Sequence, residues 1–307
     1  SCIVHNVLQF ELSWQAAAIT AGGLIGSAVG LRMAHRSPRL ARRAPRLQAS
    51  SLIRRAPVIA AFAQEAGTLV GLFALWQLAG SQSLLSSDGA VARARWLWHT
   101  ERVLHMPSEA VVQRAFLPHP LLVQGCNLYY AGLHFAVLLG CLVWLFVRYR
   151  DSYLRVRTTV VLFTGFALLV QFIPVAPPRM LPGVGMIDTA VRYGQSVYGN
   201  DAGFNPDQLS AMPSVHVGWA LLIAIAIVNV SRSRWRWLAL GYPVLTTLAV
   251  VVTANHFWLD GVAAAILLAL ALLVQRAGQA TRRKPRLRRA QQGAGQEQIQ
   301  PATSAAD

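Results

Sequence analysis

The chain has 307 residues, 54% of them hydrophobic and only 13% charged. A soluble domain carries about 25% charged residues, so the composition excludes an ordinary soluble enzyme and points to lipid. The formal net charge of +16 invites a nucleic-acid reading until its 28 basic residues are located.

They fall in four main clusters, Arg32 to Arg55, Arg148 to Arg157, Arg232 to Arg236 and Arg276 to Arg289, each beside an apolar run. That is the positive-inside pattern of a membrane protein, and no nucleic-acid partner is expected. The first apolar run extends from Trp14 to Leu31. Its Gly22, Gly23, Gly26 and Gly30 lower helix propensity but suit close helix packing. With no basic region before it and no small-residue cleavage site after it, the run reads as a weak first span rather than a signal peptide. The basic linker that follows, with Pro38 and Pro45, suits anionic headgroups.

Six stronger spans follow at 57–80, 127–147, 158–178, 213–230, 237–254 and 257–275, each near the length of about 20 residues that crosses the hydrocarbon core. The expected fold is all-α: a polytopic membrane helical bundle with a six-span core and an extra N-terminal span. Residues 1–56 form the N-terminal span and linker, 57–275 one catalytic membrane domain, and 276–307 a basic, then Gln/Ala-rich tail of disordered composition. Counted on the six-span arrangement, 22 of the 28 basic residues lie on one side; Arg93, Arg95, Arg102, Arg114, Arg179 and Arg192 lie on the other. The first side is then cytosolic, and the expected location is the cytoplasmic (inner) membrane of a bacterium.

Two long connections lie on the outer side. Residues 81–126 mix Trp96, Trp98, Leu104 and Phe116 with arginines, as an amphipathic interfacial helix does. Residues 179–212 form a loop rich in Gly, Pro, Asp and Asn, of a length that is commonly functional. Cys2, Cys126 and Cys141 make no metal motif; a disulfide between Cys2 and Cys126 requires that both face outward, and nothing in the spacing fixes their separation.

The chemistry gathers at the outer ends of the spans. Pro213-Ser214-Val215-His216 opens the fourth strong span: proline marks a helix start, and the free amides around Ser214 to His216 suit a phosphate. His256 and Asp260 are one helical turn apart, so the carboxylate can hold one imidazole nitrogen and leave the other to attack. Pro177-Pro178-Arg179 closes the third span and offers a guanidinium fork for phosphate oxygens. Each feature alone has an ordinary structural reading, since caps and interfacial arginines are common. Their weight comes from the arginine count, which independently puts all five residues at one membrane face. No cofactor and no metal-ligand cluster is implied.

Other polar residues lie nearby. Asn127, Tyr130 and His134, with Tyr129, are candidates for binding a headgroup or acceptor, or are interfacial anchors. Asp188, Asp201 and Asp207 either contact a polyol or are solvated. Glu65, near the cytosolic end of its span, is expected to snorkel or pair with a linker arginine.

Pro213-Ser214-Val215-His216 and His256-xxx-Asp260 resemble the second and third signature motifs of the type 2 phosphatidic acid phosphatase superfamily. The longer string Ala-Met-Pro-Ser-Val-His-Val-Gly-Trp-Ala from Ala211 resembles its inositol phosphorylceramide synthase-like branch. The resemblance covers residues 57–275. It implies a metal-independent covalent mechanism in which His256 is the nucleophile, Asp260 orients it and His216 protonates the leaving group. Arg179 and the Ser214 region would hold the phosphate oxygens. Two departures matter: the lysine that normally precedes the motif arginine is missing, the sole lysine being Lys284, and Ala249 and Val250 stand where Ser-Arg often does. The pocket is then less basic, Arg192 is the candidate to compensate, and the synthase-like branch is favoured. The implied substrate is a lipid with a phosphate headgroup, and the acceptor a polyol such as inositol. With water as acceptor the protein is a lipid phosphatase. A lipid transporter or flippase, from another class, is expected to show inverted repeats and midplane breaks, which the sequence lacks.

Overall fold

The computed structural model describes residues 13–38, 42, 51–83, 89–196 and 209–297. Among the described residues the chain is helical, with one isolated β-bridge and no strand. The helices are α1 (Trp14–Arg36), α2 (Ser51–Ser83), α3 (Ala90–Val103), α4 (Glu109–Phe116), α5 (Pro120–Arg148), α6 (Arg150–Gln171), α7 (Thr189–Arg192), α8 (Val215–Val230), α9 (Arg234–Val252) and α10 (Trp258–Glu297). Six of them, α1, α2, α5, α6, α9 and α10, are long and apolar enough to cross a membrane, and α8 is a shorter apolar helix of 16 residues. The expected helical membrane bundle is therefore present, the N-terminal helix included. At about 1.5 Å per residue α8 is about 24 Å long, less than the hydrocarbon thickness of about 30 Å.

The third strong span ends at Gln171 rather than 178. Pro174, Pro177 and Pro178 supply no amide hydrogens and push the residues before them out of helical geometry. A non-helical segment therefore follows, and it carries Arg179 across the bundle end. At the other boundary α10 continues to Glu297, so residues from Arg276 to Glu297 are helical where composition predicts disorder. Cys126 and Cys141 are free thiols. Cys2, Asp201, Asp207 and most of the basic linker lie outside the described residues.

The central core joins Leu138, Leu142 and Leu145 of α5, Phe163 of α6, Leu222 and Ile223 of α8, and Leu268 of α10. It depends on Gly218: a Cβ there would stand 2.0 Å from Cζ of Phe163, so only glycine lets α8 approach α6 this closely. The glycines of α1 play no such part. A Cβ at Gly22, Gly23, Gly26 or Gly30 would meet nothing, and α1 instead buries Ala17, Ala21 and Ala28 and packs Ala21 against Gly67 of α2. The reason is angular: 17, 21 and 28 fall on one helical face, and the glycines fall on another. Glu65 of α2 is also partnered differently from expectation. Its carboxylate takes two bonds from Arg157 of α6, at 2.7 and 2.9 Å, and one from Tyr153, instead of pairing with the linker.

A second, smaller core sits at the end of the bundle opposite the arginine clusters. Ala90, Ala94 and Leu97 of α3 pack there against Val175, Leu181, Leu209 and Phe257. Trp96 on the opposite face of α3 is 67% exposed, in keeping with an interfacial helix.

Candidate active site

Backbone bonds bring the three sequence segments together. Val175 donates to the Leu209 carbonyl at 2.7 Å and Ala211 donates back to Val175 at 3.2 Å, tying the stretch before Arg179 to the stretch before Ser214. Arg179 N–H donates to the Ala254 carbonyl at 3.1 Å, and Ser214 N–H to the Asp260 carbonyl at 3.1 Å. Ala254 itself has φ of 54°, unusual for a residue with a Cβ, and this reversal after α9 presents Asn255 and His256 to the other two segments. Arg179, Ser214, His216, His256 and Asp260 are thus gathered at one bundle end.

The imidazole of His256 is held at one nitrogen. Its Nδ1 lies 2.7 Å from the Ala211 carbonyl and 3.3 Å from Asp260 Oδ2. A carbonyl only accepts, so Nδ1 carries the hydrogen and Nε2 keeps its lone pair. Nε2 is buried and makes no hydrogen bond to the protein. Asp260, fully buried, also accepts the Phe257 amide at 2.8 Å, capping the helix that carries it. The His216 ring centre is 6.0 Å from that of His256, and its Nε2 is likewise buried without a protein partner. His216 stacks on Tyr130 at 4.4 Å and bonds to the Tyr130 backbone, at the π-helical turn Tyr129–Leu133 in α5. Such turns redirect carbonyls and are frequent at functional sites.

Arg179 reaches this centre through Asn255, whose side-chain oxygen accepts from its guanidinium next to His256. Its Nε is also 3.2 Å from Asp188, so part of its charge is already matched by a carboxylate that is 30% exposed. Asp188 caps α7 as well, through Val191 N–H. Ser214 is the N-cap of α8, but its own amide is committed to Asp260, so fewer free amides remain there than the sequence implies. Asn127 is occupied in fastening the loop that carries α7, bonding Thr189 twice and Gln195 once. His134 is wholly buried, its ring 5.1 Å from that of His216, with Nδ1 bonded to the Tyr242 hydroxyl. Arg192 is exposed at the end of α7, its guanidinium 5.8 Å from the ring of its neighbour Tyr193.

A family model described as the PAP2 superfamily matches residues 95–274, more than half of the chain. The chain belongs to the PAP2 superfamily. No curated protein and no solved structure matches it. Members of the superfamily are typically phosphatases or phosphotransferases, and membrane-embedded ones act on lipid phosphates.

Several residues of this PAP2 protein that hold the site carry no motif of their own. Asn255, which takes the Arg179 guanidinium, is one. A larger omission is the α3–α4 unit, which grips residues 252–259 at three points. Glu101 accepts the Leu259 amide at 2.8 Å, the Pro107 carbonyl accepts the Trp258 indole N–H at 2.9 Å, and Gln113 donates to Val252 at 3.0 Å. Gln113 also exchanges two bonds with Ile187, in the loop before α7. Glu101, Glu109 and Gln113 stand out in sequence only as polar residues in an interfacial segment, a pattern equally consistent with solvation. A cavity of about 390 Å³ is walled by Phe73 of α2, Phe135 and Leu139 of α5, Val160 of α6 and Trp219 of α8, and His216 also lines it. Helices α2 and α5 touch where Phe62 meets Phe146 edge to face.

Proposed function

We propose that this PAP2 protein is a lipid phosphotransferase of the inositol phosphorylceramide synthase-like type, working through a phosphohistidine at the outer face of the cytoplasmic membrane. The observation that carries this is the fixed tautomer of His256: Ala211 and Asp260 hold Nδ1, and Nε2 is left as the nucleophilic atom beside His216. In the first step Nε2 bonds to phosphorus, the bond from phosphorus to the lipid oxygen breaks, and His216 gives that oxygen its proton. In the second, His216 takes the proton of an incoming hydroxyl, whose oxygen bonds to phosphorus as the bond to Nε2 breaks. Both steps develop charge on the phosphate oxygens, which Arg179 and the start of α8 would stabilise.

The apolar cavity that reaches His216 supports a lipid donor, since an acyl chain can lie there while its headgroup meets the histidines. The charge balance supports a diester. With Arg179 shared with Asp188 and the sole lysine, Lys284, in the C-terminal half of α10, a singly charged phosphodiester asks less of the pocket than a dianionic monoester. Purified protein should be given a fluorescent phosphodiester lipid with and without inositol. Inositol-dependent appearance of a new phosphoinositol product, with acid-labile label on the wild type and none on His256→Ala, is the expected result. Equal rates in both conditions, yielding only the lipid alcohol and the phosphorylated headgroup that transfer to water gives, would remove the transferase reading and leave a lipid phosphohydrolase.

A further inference from the structure

The acids of the α3–α4 unit form the largest buried polar group that this mechanism leaves unused. Glu101 and Glu109 are 0% and 1% exposed. Glu101 Oε1 accepts the Leu259 amide, whereas Glu101 Oε2 and Glu109 Oε1 are buried and receive no donor from another group. Both carboxyl groups nevertheless lie against the same Arg102 guanidinium nitrogen. A single guanidinium cannot match two carboxylates buried this deeply, so one of them keeps its proton. Arg102 decides its place: the guanidinium is 3.0 Å from Glu109 Oε2 and 3.9 Å from Glu101 Oε2, so the proton belongs on Glu101. The charged groups facing Glu101 are Arg102 on its own helix, Glu109 on α4 and Asp260 on α10. Burial pushes its carboxyl up to about 9; the neighbouring Glu109 carboxyl and the negative charge of Asp260 add to this, against the Leu259 amide. Among the described residues no three His, Cys, Asp or Glu side chains are arranged to hold a metal ion, so the pair is not read as a metal site.

We propose that Glu101 is a positioning residue for the nucleophile: as a neutral carboxyl beside Glu109, it fixes the first turn of α10, and so Asp260 and His256, without setting a second negative charge behind them. An ionised Glu101 would add a second buried negative charge that interacts with Asp260, and so oppose both the His256–Asp260 pair and an anionic phosphate. The proposal rests on the reading of His256 as nucleophile.

Two variants separate the functions of the side chain. Glu101→Gln keeps an oxygen for the Leu259 amide and carries no charge, so kcat should stay within about threefold of wild type. Glu101→Leu removes that oxygen and should lower kcat by about ten- to a hundredfold at little-changed KM, because binding survives while the nucleophile is misplaced. The second readout is stability against pH. Unfolded Glu101 titrates near 4.5 and folded Glu101 near 9, so folding holds a proton between these values and stability falls as pH rises through that window. In Glu101→Gln this part of the fall should vanish. A Gln variant that folds but loses activity about a hundredfold at neutral pH would show that an ionised carboxylate is needed, and would overturn the proposal. So would a Gln variant whose thermal midpoint declines with pH as the wild type's does. Should Glu101→Leu fail to fold, those two Gln measurements decide alone. His256→Ala keeps the two readings apart: activity surviving there sinks the functional reading, whereas its loss together with an unchanged kcat in Glu101→Leu sinks only the positioning role.

Discussion

Replacing Asp260 by Asn tests how the nucleophile is held. Where a carboxylate alone fixes the imidazole tautomer, its removal costs about 10⁴ in kcat, because the wrong nitrogen then carries the hydrogen. Here the shorter contact to Nδ1 is the Ala211 carbonyl, at 2.7 Å against 3.3 Å for Asp260, and a carbonyl cannot change its role. The asparagine oxygen can take the place of Oδ2 and keep the Phe257 amide bond of 2.8 Å. What is lost is one charge-assisted bond to an imidazole that becomes positive on phosphorylation, about 1.5 to 3 kcal/mol. At about 1.4 kcal/mol per decade that is roughly a ten- to hundredfold fall in kcat. Steady-state turnover of a fluorescent phosphodiester lipid, together with the rate at which acid-labile label appears on the protein, gives the number. A loss near 10⁴ with an unchanged thermal midpoint would mean that Asp260, and not Ala211, selects the tautomer. No loss at all would mean that the carboxylate plays no part in the chemistry.

Asp188→Asn should release Arg179 from its competing carboxylate while keeping the α7 cap. Because that pair is partly exposed, the gain is limited to about 1 kcal/mol, read as several-fold tighter inhibition by orthovanadate; equal or weaker inhibition would show that Arg179 does not meet the phosphate. Gly218→Ala places a carbon where Phe163 stands and should cost about 1–3 kcal/mol, seen as a lower thermal midpoint in detergent that Phe163→Leu partly restores; an unchanged midpoint would contradict the close approach of α8 and α6. For topology, a single cysteine at His119 in a background without native cysteines should react with an impermeant thiol reagent in intact cells, and one at Ser233 should not. The reverse pattern would place the histidines on the cytosolic side.

Arginine placement, span length and the two short motifs were readable from the chain itself. Apolar runs report burial in lipid directly, because each residue meets the bilayer whatever its neighbours do, and charge asymmetry depends only on position along the chain. His216, His256 and Asp260 were legible for a related reason: a helix start and a one-turn spacing are local geometry. Tertiary structure decided everything that depended on angle or on distant partners. Hydropathy counts Gly22, Gly26 and Gly30 as a packing face, but helix rotation turned the seam to Ala17, Ala21 and Ala28. It also cannot see that a backbone carbonyl at Ala211 holds His256, since every residue has one and only the fold aims it. Glu101 and Glu109 carry no distinguishing signal in the sequence, and only the packing of α3 and α4 against the start of α10 buries them. Sequence fixes which groups are available along the chain; the cost of burying charge is set only by what folding brings against it.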